Sequence, residues 1–257
     1  MNPGEFRIET IRPNIILIDD CTESSAYLIL GSHTALLVDT GMGGDNFAEV
    51  VRSLTDLPIK LFITHAHPDH HRYAADFAPA YVHRFDYEIL DDMRAHVDPL
   101  TPPNDVFTSV DEGFRIDLGG ATAIVYWAGG HTPGSAAVVV PEYEIVCTGD
   151  AFGSGVGVWM QVPFALDMSG YRDALRHFLD VCAYTRSYRY LGGHIVQSAE
   201  NPLCYQLVED MFSLACRLLE RHPEQYVHPS RGRAFTDEQP MGAAFRTASM
   251  VYLNSRI

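Results

Sequence analysis

Apolar positions near the start of the chain fall into short runs bounded by Asp, Ser, Gly or His. Because such runs are typical of β-strands, residues 15–18, 26–30 and 35–38 are predicted to form successive antiparallel strands. Further strands are predicted at 59–64, 81–83, 113–118, 122–127, 136–140, 144–148, 189–192 and within 243–253. Apolar residues recur at helical spacing in 47–54, 85–96, 169–184 and 201–220, where we expect Ser169 and Asn201 near the helix starts. The pattern predicts a mixed α/β protein.

The strand predicted at 59–64 leads into a stretch that is rich in metal-binding side chains, namely His65, His67, Asp69, His70 and His71. Pro68 prevents a regular strand or helix from continuing, so this stretch is predicted to be a tight loop. His65 and His67 are two residues apart and can converge on one ion, whereas Asp69 and His70 lie beyond the proline and face a second. Imidazole with carboxylate is a ligand set that zinc or iron accepts. A histidine-rich loop that arose by chance is the alternative.

Three later strands end in residues of the same kind. His131 lies between glycines after the strand at 122–127, and His194 follows two glycines after the strand at 189–192. A lone histidine is more often a surface residue, but a chain that already has a ligand loop favours a metal site. Asp150 follows a strand and a glycine, and its two oxygens suit it to bridge two cations. Asp39 ends an earlier strand, and we expect it to orient a ligand histidine.

Residues 151–165 are too irregular for a helix and too apolar for an ordinary solvent-exposed loop. Phe152, Val156, Trp159 and Phe164 are among the apolar side chains of this segment, which alternate with glycine or serine. Two interpretations remain open. The segment either covers the substrate as a lid or crosses over the core.

Composition limits the class of protein. With 257 residues and 47% hydrophobic content, the chain is expected to form a single domain over residues 1–257. The formal net charge of −15 would repel a polyanion, so we expect no nucleic-acid partner. We find no signal-peptide pattern and no apolar run long enough to span a bilayer, so we expect a soluble cytoplasmic protein with no membrane partner.

The chain has five widely spaced cysteines, which are Cys21, Cys147, Cys182, Cys204 and Cys216. An odd number without a C-x-x-C pair is typical of a reducing compartment and argues against a thiolate zinc site. We expect most of them to be small core residues, Cys147 above all, because it lies in an apolar run.

The ordered set of motifs resembles the metallo-β-lactamase-fold superfamily. The matching features are the early Asp39, the T-H-x-H-x-D-H loop that begins at Thr64, the G-H-T-P-G-S segment around His131, the T-G-D that ends at Asp150 and the G-G-H that ends at His194. The resemblance implies an αβ/βα four-layer sandwich, in which two mixed β-sheets lie face to face with helices on the outer faces. It implies that His65, His67 and His131 hold a first metal, that Asp69, His70 and His194 hold a second, and that Asp150 bridges them.

The same resemblance implies a hydrolase with two divalent ions, zinc first and iron or manganese as alternatives. The G-H-T-P-G-S and T-G-D segments are most similar to the glyoxalase II and lactonase branch, and an aspartate at position 150 disfavours β-lactam hydrolysis. His71 and Arg72 stand where many members have glycine, and no glutathione-binding C-terminal domain is evident. Flavodiiron proteins have a similar fold but carry glutamate where His67 stands, which argues against that branch.

We therefore expect hydrolysis of a small ester, thioester or lactone by a hydroxide that bridges the two metals, with Asp69 as the catalytic residue that orients the hydroxide and passes on its proton. A small-molecule substrate is the expected partner, and a homodimer is left open. The alternatives are a phosphodiesterase of the same fold, a mononuclear iron oxygenase and a non-catalytic metal-binding regulatory module.

Overall fold

The computed structural model describes residues 5–20, 22–153, 157–198, 202–221, 226–229 and 237–257. The first strands in these ranges are β1 Arg7–Arg12, β2 Ile15–Asp19, β3 Ser25–Leu30, β4 Ala35–Val38, β5 Ile59–Ile63, β6 Ala80–His83 and β7 Phe107–Val110. They form one sheet in sequence order. Pairing is antiparallel from β1 to β4 and parallel from β4 to β7, so the sheet is mixed.

The later strands of the described chain form a second sheet and a small third one. They are β8 Arg115–Asp117, β9 Thr122–Trp127, β10 Ala136–Val140, β11 Ile145–Gly149, β12 Val158–Trp159, β13 Arg189–Gly192, β14 Tyr226–Pro229, β15 Met241–Phe245 and β16 Ala248–Tyr252. The second sheet has the order β13-β11-β10-β9-β8 and is also mixed, because β11 and β13 are parallel. The third sheet, with the order β12-β16-β15-β14, was not predicted as a sheet of its own.

The α-helices of the described residues are α1 Phe47–Ser53, α2 Pro68–His71, α3 Arg84–Tyr87, α4 Leu90–His96, α5 Met168–Val181 and α6 Tyr205–Leu219. The helix predicted at 85–96 is divided into α3 and α4, because the Ile89 N–H bonds three residues back to the Asp86 carbonyl. The cap predicted at Ser169 is wrong. Asp167 caps α5 by accepting the Gly170 N–H at 2.7 Å, and a carboxylate is the stronger acceptor.

The two large sheets pack face to face, as the αβ/βα sandwich requires. One core cluster lies between them and contains Leu17, Val38 and Phe62 from the first sheet together with Val138 and Cys147 from the second. A second cluster joins the outer face of the first sheet to α1 and α4, and a third joins the outer face of the second sheet to α5, α6 and the small sheet. The predicted four-layer architecture is therefore confirmed, with the small sheet added to one helical layer.

The predicted core position is found for two of the four described cysteines. Cys147 is fully buried between the sheets, as expected, and Cys182 is buried beside α5, whereas Cys204 and Cys216 are half-buried. Cys21 and Asn201 lie outside the described residues, and α6 begins at Tyr205 rather than at 201. Among the described residues, no helix combines the length and the apolar character needed to cross a membrane.

One buried hydrogen bond joins the two sheets next to a candidate ligand. The Tyr27 hydroxyl, from β3, donates to the carbonyl of Gly192 at the end of β13, and the distance is 2.6 Å. Tyr27 is 2% exposed, so the bond lies in the core, two residues before His194.

Tyr27→Phe is expected to lower the free energy of unfolding by about 1–3 kcal/mol, because a buried carbonyl loses its donor. Tyr184→Phe is the matched control, since its hydroxyl bonds the Tyr126 hydroxyl in an exposed position and its loss is expected to cost about 0.5 kcal/mol or less. Urea denaturation of the metal-free variants measures both. Equal costs for the two variants would contradict a special role for the bond between the sheets.

Candidate metal centre

The predicted ligands meet at one edge of the sandwich because of strand direction. His65 comes two residues after β5, Asp150 directly after β11 and His194 two residues after β13. β11 and β13 are parallel, and β9 runs the same way because both β9 and β11 pair antiparallel with β10. The loop after β9 therefore brings His131 to the same edge. Carboxyl ends of strands are where α/β proteins place their sites.

Three histidines form the first group of donors. One ring nitrogen from each of His65, His67 and His131 lies within 4.8 Å of the other two. Nδ1 of His67 is 2.8 Å from Nε2 of His131, and the two rings are nearly perpendicular. All three residues are buried or almost so. Three converging imidazoles are the protein ligands of several catalytic zinc sites.

Asp69, His70 and His194 form the second group, within the same 4.8 Å limit. Nε2 of His194 lies 3.3 Å from an oxygen of Asp69 and 3.3 Å from an oxygen of Asp150. Asp150 stands between the two groups, because its oxygens are also 3.8 Å from Nε2 of His70 and 3.8 Å from Nε2 of His131. The position predicted to bridge two ions is thus geometrically intermediate between the two sets of donors.

The outer nitrogens of these histidines are anchored, which fixes their tautomers. The Nδ1–H of His131 donates to the Trp159 carbonyl at 2.8 Å, and that of His194 donates to the Glu23 carbonyl at 2.9 Å. A carbonyl only accepts, so Nδ1 carries a proton and Nε2 is the nitrogen that faces the cluster and could bind a metal. His70 donates from Nδ1 to Asp39 at 2.8 Å, with the same consequence.

Buried atoms without partners test whether the cluster fits metal ions. Nε2 of His65, Nε2 of His70 and one oxygen of Asp150 are shielded from solvent and have no hydrogen-bond partner among the described residues. Buried polar atoms are nearly always satisfied, so orphans that belong to one cluster indicate a ligand. Neutral imidazole nitrogens and carboxylate oxygens are donors suited to zinc, iron or manganese. The residues present fit divalent metal ions, which these donors could hold.

The first group of histidines is held neutral. Burial, with the neighbouring imidazoles adding to it, lowers the pKa of His65 well below its ordinary value and that of His67 to about 3. Burial likewise lowers the pKa of His131. Neutral imidazole is the form that binds a metal, so this group is ready for an ion at neutral pH.

The second group holds positive charge instead. Burial alone would lower the pKa of His70, but Asp69, Asp39 and Asp150 outweigh it and raise this pKa to about 9. For His194, Asp150 and Asp69 likewise outweigh burial and raise the pKa to about 12. The two carboxyl groups Asp69 and Asp150 have a pKa below the usual range, because the nearby histidines outweigh burial. The two carboxylates therefore need positively charged partners. In the metal-free protein the protons on His70 and His194 supply that charge.

Asp39 contacts a candidate ligand as expected. Its carboxylate accepts the Thr64 N–H and hydroxyl, both at 2.7 Å, besides the Nδ1–H of His70. The Thr64 hydroxyl also lies 3.2 Å from Nδ1 of His65. One buried carboxylate thus orients His70 directly and His65 through Thr64, which is the usual arrangement behind metal-binding histidines.

Asp86 and Asp20 position the ligand loops and were missed by the sequence analysis. Asp86, on α3, accepts hydrogen bonds from the Ala66 N–H, the Thr132 hydroxyl and the Gly134 N–H at 2.6–2.7 Å. It therefore ties the loop of His67 to the loop of His131. Burial raises its pKa to about 6. An isolated acidic residue in a short helix carries no local signal for bonds to such distant loops.

Asp20 does the same for the second group of donors. One of its oxygens accepts the N–H groups of Thr22 and Ser24, and the other accepts those of Met42 and Gly43. The turn held in this way contains Glu23, whose carbonyl orients His194. An aspartate beside a turn could have been noticed in the sequence, but its link to His194 depends on residues far apart along the chain.

Gly193 is required by the close approach of two candidate ligands. A Cβ at this position would overlap the Asp150 carboxylate and lie 2.5 Å from Cε1 of His70. Any larger residue would have to displace one of them. The glycine before His194 is thus a packing requirement of the site.

The segment that was left open between a lid and a core crossover contributes side chains both to the core and to the wall of a cavity. Val158 and Met160 are buried in the core of the second sheet, whereas Trp159 between them is 39% exposed and lines the cavity above the histidines. Val162 and Pro163 also line this cavity, but Phe152 is buried in the core. Residues 154–156 lie outside the described residues.

Comparison with known proteins places all seven predicted ligands inside a family match. The family model described as the metallo-beta-lactamase superfamily matches residues 19–194. A curated relative, the probable metallo-hydrolase YqgX of Bacillus subtilis (strain 168), is 24% identical over 148 residues, which are 52% of this chain and 69% of the relative. The family match covers the ligand loop, the positions of His131 and Asp150, and His194.

Solved structures agree on the fold. The DIM-1 metallo-beta-lactamase is similar with a TM-score of 0.66 and 18% identity, over 84% of this chain and 100% of that one. A metallo beta lactamase from Erythrobacter litoralis is similar with a TM-score of 0.60 and 19% identity, over 84% of this chain and 99% of the other. At such identities the likeness bears on the fold alone.

Asp86→Asn tests the contact that joins the two ligand loops without altering any predicted ligand. Because an amide cannot accept at both positions, the variant is expected to lose about 1–3 kcal/mol of unfolding free energy. The measurement is urea denaturation of metal-free protein at pH 8, where Asp86 is ionised. Asp91→Asn serves as control, since this side chain is 77% exposed and pairs only at the surface of α4 with Arg94. If both variants unfold alike, Asp86 does not brace the loops.

Proposed function

The chain belongs to the metallo-beta-lactamase superfamily, and from that premise we propose that it is a metal-dependent hydrolase of small esters, thioesters or lactones. The observation that carries the proposal is the pair of donor groups at the sheet edge with Asp150 between them. The name of the curated relative, a probable metallo-hydrolase, supports the same class of reaction. The glyoxalase II and lactonase branch stays a prediction, based on the G-H-T-P-G-S and T-G-D segments.

We propose that His65, His67 and His131 hold one divalent ion, that Asp69, His70 and His194 hold a second, and that Asp150 contacts both. Zinc is the first choice, with iron or manganese as alternatives. When bound, such ions polarise a carbonyl and lower the pKa of water from about 15.7 toward about 7. No serine or cysteine nucleophile is then required. Because the four described cysteines are free, we keep the cytoplasm as the proposed location.

Asp69 is proposed as the catalytic acid–base group. It lines the cavity, its side chain is 27% exposed, and one of its oxygens lies 3.3 Å from His194. Its pKa lies well below the usual range, so at neutral pH it is an ionised carboxylate that can accept a hydrogen bond from the attacking water. From that position it can take the proton of the water and return it to the leaving group.

The first test of the proposal is metal content. We expect the purified protein to bind close to two divalent ions per chain, and His67→Ala and His194→Ala each to lower this content, because each removes a donor from a different group. Elemental analysis after dialysis against metal-free buffer measures it. His33→Ala is the control, because this histidine lies in the turn after β3, away from both donor groups. Full retention of both ions in the two ligand variants would show that the assignment of His67 and His194 as metal ligands is wrong.

The second test separates proton transfer from metal binding at Asp69. Asp69→Asn keeps the size of the side chain but removes its basic site, so kcat is expected to fall by about 10²- to 10⁴-fold in excess zinc. Asp39→Asn is the companion variant, because Asp39 orients His70 but does not line the cavity. Activity and metal content are measured on the same samples. A metal-replete Asp69→Asn enzyme with near wild-type kcat would remove the proton-transfer role.

A further inference from the structure

A cavity of about 530 Å³ opens above the two donor groups, which is a size suited to a small ligand. Its floor is formed by candidate ligands, among them His67, Asp69 and Asp150. Its walls are mainly apolar and include Met42, Val97, Trp159, Val162 and Pro163. The reacting carbonyl must lie at the floor, so the walls are what the rest of the substrate contacts.

The walls offer no counterion to an anionic substrate. Among the described residues that line the cavity, none is a lysine or arginine, and the ionisable ones, which are the carboxylates Asp69 and Asp150 and three histidines, are candidate ligands at the floor. Two nearby arginines are engaged elsewhere. Arg72 pairs with Asp98 at 2.7 Å through Nη2, and although its Nη1 is buried without a partner, the residue does not line the cavity. Arg256 donates to the carbonyls of Met160 and Val162 at 2.9 Å. An anionic group on the part of the substrate that contacts the walls would therefore lose water without gaining a partner.

Two large apolar side chains stand exposed at the cavity. Trp159 is 39% exposed and Met42 is 37% exposed, and both line it. Both are fixed through their backbones. Trp159 pairs with Val251 in the small sheet, and the Met42 N–H is held by Asp20. An apolar chain that covers them removes apolar surface from water without having to order a loop first.

We propose that the part of the substrate beyond its scissile carbonyl is an uncharged, apolar acyl chain that contacts Trp159 and Met42. This inference rests on the proposed ester, thioester or lactone hydrolysis and specifies its substrate class. Substrates that carry a carboxylate or phosphate on that part are excluded by charge.

The test compares two esters of 4-nitrophenol that differ only at the far end of the acyl chain, the hexanoate and the monoester of adipate, whose carboxylate is too distant to attack its own ester readily. The metal-loaded enzyme is expected to favour the hexanoate by at least about tenfold in kcat/KM, since a charge that loses water without gaining a partner costs at least that much. Trp159→Ala is expected to raise KM for the hexanoate. Equal or better enzymatic hydrolysis of the adipate monoester would overturn the inference.

A charge placed in the wall should reverse the preference. Met42→Lys is expected to raise kcat/KM for the adipate monoester and lower it for the hexanoate, whereas Met42→Gln, similar in size but neutral, is expected to leave kcat/KM for the adipate monoester low. Val181→Lys adds the same charge on an exposed position at the end of α5 and controls for long-range attraction. The proposed wall contact would be wrong if Met42→Lys did not change the ratio of kcat/KM for the two esters. It would also be wrong if Val181→Lys changed this ratio equally.

Binding to metal-free protein tests the cavity independently of hydrolysis. N-phenyl-1-naphthylamine is neutral, and 8-anilino-1-naphthalenesulfonate adds a sulfonate to the same skeleton. The neutral probe is expected to bind at least about tenfold more tightly, and Trp159→Ala to weaken it. If the enzyme hydrolyses no ester but the neutral probe still binds more tightly, the proposed function is wrong and the apolar cavity stands. Equal binding of the two probes would remove the cavity inference whatever the enzyme hydrolyses.

Discussion

Buried aspartates that accept backbone hydrogen bonds hold the loops of the candidate metal centre in place. Asp39 links Thr64 and His70, Asp86 links the loops of His67 and His131, and Asp20 holds the turn behind His194. A buried carboxylate is costly unless it is fully hydrogen-bonded, and bonds to a charged group contribute about 1.5–3 kcal/mol each. Such a group is therefore stable only when all the loops it joins are in position, which makes the loops cooperative.

These hydrogen bonds are needed because burial and mutual repulsion make it unfavourable to bring the candidate ligands together. Burial and mutual repulsion keep His65 and His67 neutral, whereas His70 and His194 are charged only because the carboxylates face them. Protons on His70 and His194 compete with a metal for the same lone pairs. Because the facing carboxylates raise the pKa of both histidines, we expect metal binding to release protons and metal affinity to rise with pH.

The sequence predicted the candidate ligands better than it predicted what holds them. His131, Asp150 and His194 each end an apolar strand beside glycine, and that signal is local and readable. The two mixed sheets and the four layers came from the family resemblance, whereas the order of the strands was not predicted, since periodicity indicates strands but not their pairing. Asp86 was missed because its bonds join segments 20 and 48 residues away. The helix start at Asp167 was missed by two positions because Ser169 and Asp167 are both suitable caps, and only the Gly170 contact decides between them.

The segment around Trp159 connects the cavity wall to the metal centre. Alternation along a strand sends Val158 and Met160 into the core while Trp159 faces the cavity. The Trp159 carbonyl at the same time accepts the Nδ1–H of His131. A backbone shift that adapted the wall to a bulkier acyl chain would move the atom that orients His131. Pairing of Trp159 with Val251, together with the bond from the Met160 N–H to the Val251 carbonyl at 2.7 Å, resists such a shift. The proposed acyl-chain selectivity and the orientation of His131 would therefore be coupled through one short strand. Side-chain substitutions can change the cavity wall without changing this orientation only if they leave the backbone in place.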